Sequence, residues 1–490
     1  MQLPKPSTLH DRDAEWRALM SFVGQADPGA KLGLLYGRRR QGKTYLLAQL
    51  VQALGGFMFT GIQQSGVQNL RDLSRAYHEF VDRPGAEFAD WRAVVDALLR
   101  LGEEREAPVP VVLDEFSYLL DSVEGLASVI QVALAPQSRA GRQGRTRLIL
   151  CGSALTTMRN VLRGTAPLRG RASLEMQVNP FGFRDAAEFW GVSGDPELAF
   201  RLHALVGGTP AYREMSGATP SSGRDFDRWV VSHLLDPASA MYHEGNVLLY
   251  QEPEITDPAL YFAVLSAISR GARRRSEIAA ALARPDSALT HPLGVLESLL
   301  LIRRDEDALR RQRPVYRIAE PVIRLHRLVI STNEALLALR QADRVWAASA
   351  DTVNSKIYGP HLEDLAREWC LAHASAQSLG GLPTRVGPAT LACREHRQGH
   401  ELDVVAVRST PGEPDRVLAI GQVKATTSPV GESELARLDH LRDLLPRDRV
   451  AEPPRILLFA RAGFTPALHA TARSRRDVEL IDLERLYHGE

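Results

Sequence analysis

The sequence predicts an α/β protein of several domains, and three observations carry that expectation. A short apolar strand passes through a glycine-flanked loop into a helical run at residues 31–54, "KLGLLYGRRRQGKTYLLAQLVQAL". A second apolar run, "VPVVLDEFSYLL" at residues 109–120, ends in paired acids. From residue 357 to 490, amphipathic helical stretches alternate with short apolar strands. A chain of 490 residues is too long for one core, so roughly two to four domains are expected.

Composition narrows the classes. Apolar residues make up 44% and charged residues 24%, ordinary for a globular protein. The net charge of +1 means that any nucleic-acid binding must come from local patches. The cysteines, Cys151, Cys370 and Cys393, are widely separated and show no paired spacing, which suits reduced thiols. The opening "MQLPKPSTLHDRDAEW" turns polar at once, and no apolar run approaches the roughly 20 residues needed to cross a bilayer. A cytoplasmic protein with no membrane partner is expected.

The first element closes the pattern G-x-x-x-x-G-K-T between Gly37 and Thr44, after a strand and before a helix with leucines at 46, 47 and 50. That context identifies a phosphate-binding P-loop. The loop, Gly37, Arg38, Arg39, Arg40, Gln41, Gly42, Lys43, Thr44 and Tyr45, turns its amides toward the phosphates at the positive end of the helix. Lys43 is expected to reach the outer phosphates and Thr44 to ligate Mg²⁺. On the second strand Asp114 is expected to hold the Mg²⁺ hydration shell and Glu115 to polarise the attacking water. ATP and Mg²⁺ are the implied cofactors. A third strand, "TRLILCGSAL" at residues 146–155, ends near Ser153.

Residues 257–329 change character. Helical runs at "PALYFAVLSAISRG", "RRSEIAAALA" (with Ser276 able to cap it) and "DSALTHPLGVLESLLLI" precede two short strands around a charged loop. That is the order of a winged helix-turn-helix. Arg273, Arg274 and Arg275 before its second helix, and Arg310, Arg311 and Arg313 on the wing, are the candidate DNA-phosphate contacts. The third helix carries few groups suited to base edges, so weak sequence specificity is expected. A solvated arginine face used for protein contacts is the alternative.

Together "YGRRRQGKT", "LDEFSYL" and "LILCGSAL" resemble the archaeal-type ATPase family of AAA+/STAND-like P-loop proteins. "LHDRDAEWRALMSFV" (9–23, with Arg12 and Glu15), "PLRGRASLEMQVNPFGFRDAAEF" (167–189) and "VGGTPAYREM" (206–215) resemble further boxes of that family. The resemblance implies that Ser153 senses the γ-phosphate and that Arg171, or in its place Arg169, acts as an arginine finger. It leaves open whether the finger acts within the chain or across a homo-oligomer. It also implies a C-terminal nuclease-fold domain.

The last block agrees. A helix carrying Glu363, strands at "ELDVVAV" and "RVLAIGQVK", a helix and the strand "RILLFAR" resemble the PD-(D/E)xK restriction-endonuclease core. In that fold Asp403 and the residue two before Lys424 bind Mg²⁺, here Gln422, with Glu363 placed to add an oxygen; Lys424 would stabilise the developing charge. An amide oxygen is a weaker ligand than a carboxylate, although some restriction-type nucleases resemble this chain in having Q-x-K. The full expectation is a P-loop ATPase core (1–180), a helical lid (181–250), a winged helix (251–330), a helical linker (331–356) and an α/β restriction-endonuclease-like domain (357–490). Its function is ATP hydrolysis coupled to metal-dependent DNA cleavage. The alternative is a nucleotide-dependent scaffold that binds DNA with an inactive nuclease fold.

Overall fold

The structure is a computed structural model that describes residues 3–103, 105–252, 254–255, 257–310, 314–393, 398–450 and 452–490. The chain forms two compact units. The first comprises Met1–Pro180 with Thr209–Ala211, and the second Phe181–Gly208 with Tyr212–Glu490.

In the first unit β1 (Lys31–Tyr36), β2 (Phe57–Thr60), β3 (Val109–Asp114), β4 (Thr146–Gly152) and β5 (Ala172–Gln177) form a parallel sheet in the order β2-β3-β4-β1-β5. The three central strands are buried on both faces, which is why their sequences read as continuous apolar runs. The helix Lys43–Leu54 covers the sheet with Leu46, Leu47 and Leu50, the leucines its periodicity singled out. This strand order sets β4 between β1 and β3, so the phosphate loop, Ser153 and the acid pair emerge side by side at one sheet edge. The edge strands β2 and β5 are short or half-exposed and were not evident from sequence.

The second unit is helical around two smaller sheets. Helices Pro258–Arg270, Arg275–Ala281 and Thr290–Ser298 precede the antiparallel pair β6 (Ile302–Asp305) and β7 (Val315–Ile318), and share one core with it. Ser276 does not cap its helix. The Glu277 carboxylate does so, accepting from the backbone N–H groups of Arg273 and Arg274 at 2.8 and 3.0 Å. Residues 331–356 are helical and share their core with the C-terminal sheet through Leu337, Val345 and Val353.

That sheet runs β12-β11-β10-β9-β8, from β8 (Arg385–Cys393), β9 (Gln398–Arg408), β10 (Arg416–Lys424), β11 (Arg455–Ala460) and β12 (Val478–Asp482). β8, β9 and β10 pair antiparallel, while β10, β11 and β12 pair parallel. The helix Gly359–Ala372 packs on one face against Val404, Ala406 and Val423. The helix Glu432–Asp443 packs Leu435, Leu438 and Leu441 on the other. Among the described residues no helix is long and apolar enough to cross a membrane.

Candidate functional site

Two loop glycines make the phosphate cradle sterically possible. A Cβ on Gly37 would stand 2.4 Å from the Val178 carbonyl oxygen, and Gly42 has φ of 83°, which suits glycine. Arg40 also takes the left-handed region, with φ of 71°. From below, the buried Arg12 braces the loop: Nη2 donates to the Gln41 carbonyl at 3.2 Å and Nη1 to Glu15 at 2.9 Å. Arg39 donates to the Tyr118 hydroxyl. Tyr45 is half-exposed at the start of the helix.

Lys43 is buried, and its Nζ donates to the Arg38 carbonyl at 2.9 Å. Burial lowers its pKa, partly offset by the nearby charges of Glu115 and Asp114. An ammonium held in this state gains from a phosphate that replaces its lone carbonyl partner.

The strand pairing brings Thr44 and Asp114, 70 residues apart, into direct contact: Thr44 Oγ1 donates to Asp114 Oδ2 at 2.7 Å. Asp114 Oδ1 is buried with no hydrogen-bond partner among the described residues. A hydroxyl and a carboxylate at hydrogen-bond distance, with one acceptor left open, fit a hydrated Mg²⁺. Beyond Asp114, Glu115 has φ of 48°, an uncommon conformation for a side chain of this kind. Ser153 Oγ donates to Glu115 Oε2 at 2.9 Å, so the serine holds the carboxylate.

Arg169 and Arg171 are both exposed on the loop before β5; Arg169 donates to the Gly164 carbonyl at 2.9 Å. Sequence reasoning passed over Arg159, which lies in the short helix Leu155–Asn160 that follows β4. Its guanidinium lies 5.6 Å from the centre of the Tyr36 ring, and Nη2 donates to Gln177 at 2.8 Å. These contacts anchor it at the ends of β1 and β5, and its position two turns after Ser153 was the available signal.

In the second unit Asp403 sits where β9 slips by one residue against β8, between the pairs Gly387–Val405 and Ala389–Leu402. Such a bulge re-aims side chains. Asp403 Oδ2 accepts from the Val423 amide at 2.8 Å and from Gln422 Nε2. The other end of that amide, Oε1, accepts from Arg437 Nη1 at 2.8 Å. Lys424 Nζ pairs with Glu434 at 2.9 Å. Burial, with the charge of Glu363 adding, raises Asp403 to about 6.

Glu363 is close by but engaged. Arg317 and Arg367 donate to its Oε2 at 2.5 and 3.0 Å. Burial works to raise its pKa, yet Arg317, Arg367 and Arg273 outweigh that and lower it. Asp403, Gln422 and Lys424 are therefore brought together, each with a protein partner, and Glu363 joins them as half of an arginine cluster. Arg437, Glu434 and Arg317 were missed from sequence because Gln422, Lys424 and Glu363 lie on other elements, while Arg367 meets Glu363 one turn away on the same helix.

Among the candidate DNA contacts, Arg273 lies 3.9 Å from Glu363 and 4.0 Å from Glu401. Arg275 donates to Asp286 at 3.0 Å. Arg274 and Arg273 line a cavity of about 540 Å³ with Arg310, Arg317 and Lys356. Arg311 and Arg313 lie outside the described residues.

No family model matches this sequence, and no curated protein matches it. Solved structures of archaeal ATPases are similar to parts of this chain. A Walker-type ATPase of Pyrococcus abyssi is 22% identical over 65% of this chain and 96% of that one, with a TM-score of 0.49. The ORC2 protein of Aeropyrum pernix is 17% identical over 72% and 98%, with a TM-score of 0.43. Cdc6p of Pyrobaculum aerophilum is 14% identical over 69% and 96%, with a TM-score of 0.35. At these TM-scores the likenesses decide nothing about the site, whose chemistry is set by the side chains described above.

Proposed function

We propose that the chain is a Mg²⁺-dependent ATPase whose second unit binds DNA without cutting it. The observation that carries the ATPase reading is the 2.7 Å contact between Thr44 and Asp114, beside a glutamate held by Ser153. Mg²⁺ would be held by Thr44, with Asp114 on its water shell, and would neutralise charge on the β- and γ-phosphates. Lys43 leaves the Arg38 carbonyl for the outer phosphates. Glu115 accepts a proton from the attacking water as the γ-phosphoryl group leaves ADP. Arg171 is the proposed finger, and Ser153 couples the γ-phosphate to the position of Glu115.

DNA binding rests on the arginines of a helix-helix-helix-strand-strand order, read as a winged helix. Arg275 is spent on Asp286, which leaves Arg274 and Arg310 as its principal phosphate contacts.

The hydrogen bonds around Gln422 favour the non-cleaving alternative over an active nuclease. To offer Oε1 to a cation beside Asp403, the amide must turn over, which sets its N–H₂ against Arg437 and gives up both bonds. The nuclease reading keeps one point in its favour: Asp403, at the bulge in mid-β9, faces Gln422 near the end of the adjacent strand β10, which closes with Lys424.

The test is ATP turnover and plasmid integrity with Mg²⁺ or Mn²⁺. Glu115→Gln should keep ATP binding and lose about 10²-fold or more in turnover, while DNA is bound but stays intact. No turnover in the wild type would sink the ATPase reading. Nicking abolished by both Asp403→Ala and Lys424→Ala would instead establish the nuclease.

A further inference from the structure

Three side chains with no part in the ATP or DNA readings converge at one end of the C-terminal sheet. Cys393 ends β8, His400 lies near the start of β9, and His440 projects from the helix Glu432–Asp443. Their sulfur and nitrogen atoms all lie within 4.8 Å of one another. Cys393 Sγ stands 3.7 Å from His440 Nε2. The His400 and His440 rings are 6.3 Å apart and nearly perpendicular, at 86°. Cys393 is buried and both histidines are half-buried, so the cluster is a built feature of the interior edge.

Zinc takes sulfur at about 2.3 Å and imidazole nitrogen at about 2.0–2.1 Å, so tetrahedral coordination sets S and N roughly 3.6 Å apart. The observed 3.7 Å meets that separation, and the wider pair closes by rotation about a histidine side chain. One thiolate and two imidazoles select a borderline ion such as Zn²⁺, whereas Mg²⁺ takes oxygen ligands.

We infer that Cys393, His400 and His440 form a Zn²⁺ site, with water in the fourth position. The ion would tie the ends of β8 and β9 to the helix that carries Arg437 and Glu434, the partners of Gln422 and Lys424. Binding releases the thiol proton, so affinity falls as pH falls.

The experiment is titration of the chelator-treated full chain with Co²⁺, followed by displacement with Zn²⁺. One equivalent should bind and give a thiolate-to-metal charge-transfer band that Zn²⁺ abolishes. Cys151 and Cys370 are fully buried with raised pKa, so the band reports Cys393. Cys393→Ser should remove it, and His440→Ala and His400→Ala should each weaken binding by about tenfold or more. Unchanged far-UV circular dichroism and a single cooperative urea transition in each variant show that the second unit stays folded. Absence of stoichiometric binding, or a band unchanged in Cys393→Ser, overturns the site.

Discussion

Asp403 keeps its proton longer than an exposed aspartate does, and that has a measurable sign. Its ordinary value of 3.8 is raised to about 6 in the folded chain. Between those values the folded state holds a proton that the unfolded state has lost, so stability falls as pH rises from about 4 to 6 and then levels. The shift corresponds to roughly 3 kcal/mol. Asp403→Asn keeps an acceptor for the Val423 amide and removes the charge. Urea unfolding at pH 4.5 and 7 should show the variant gaining on the wild type at the higher pH only; an equal difference at both pH values would refute the assignment. A second substitution tests the neighbouring amide. Gln422→Glu sets two carboxylates at hydrogen-bond distance, where like charge raises a shared proton or recruits a cation. Added Mn²⁺ should therefore raise the melting temperature of this variant and leave the wild type unmoved.

At the scale of elements, β7 is tied to the helix Gly359–Ala372 by charge. Asp364 lies within 4 Å of Arg303, Arg317, Arg324 and Arg367, all but Arg303 buried, and these guanidiniums together overcome burial to lower its pKa strongly. Removing one partner from a buried ion cluster leaves charge uncompensated, at a cost of about 3–5 kcal/mol. Asp364→Asn should lower the urea midpoint of the second unit accordingly, and a change near zero would mean that the arginines reach solvent instead. Of these pairs only Asp364–Arg367, three residues apart on one helix, had a local signature; Arg303 and Asp364 are 61 residues apart. What was legible had a local signature. Strands β3, β4, β10 and β11 are interior strands with unbroken apolar runs, and the P-loop carries its own spacing. Strand β8 escaped notice because Pro388 interrupts it, and proline is tolerated there only because β8 is an edge strand with a bulge beside it. The Thr44–Asp114 contact followed from motif; the seat of Ser153 on Glu115 needed the β4 position in the sheet. Gln422 was visible as an oddity, but its meaning depended on Arg437, fifteen residues away on a helix.

For the whole molecule the proposed function predicts a coupling between ATP and DNA, and the connectivity offers a route for it. The tripeptide Thr209–Ala211 belongs to the first unit, while the residues on both sides of it belong to the second. Ala211 N donates to the Arg40 carbonyl of the phosphate loop at 3.4 Å, a long bond on a residue already in the left-handed region. Phosphates that draw the loop amides inward act directly on that carbonyl, and hence on the segment that enters and leaves the second unit. Upstream, Phe181 N donates to Gly208 O at 2.8 Å, and a Cβ on Gly208 would meet the Phe181 carbonyl at 1.9 Å, so the return into the tripeptide has little slack. On the proposed function, a change at Arg40 would bias the second unit through this segment and make its DNA affinity depend on nucleotide. Linkage makes the expectation strict. If a non-hydrolysable ATP analogue changes DNA affinity by some factor, DNA must change the analogue's affinity by the same factor, typically about 5–150-fold. Titrations in both directions at one salt concentration should agree. Lys43→Ala, which loses the nucleotide, should bind DNA at the nucleotide-free level whatever is added, and DNA affinity indifferent to nucleotide in the wild type would show that the two units work independently.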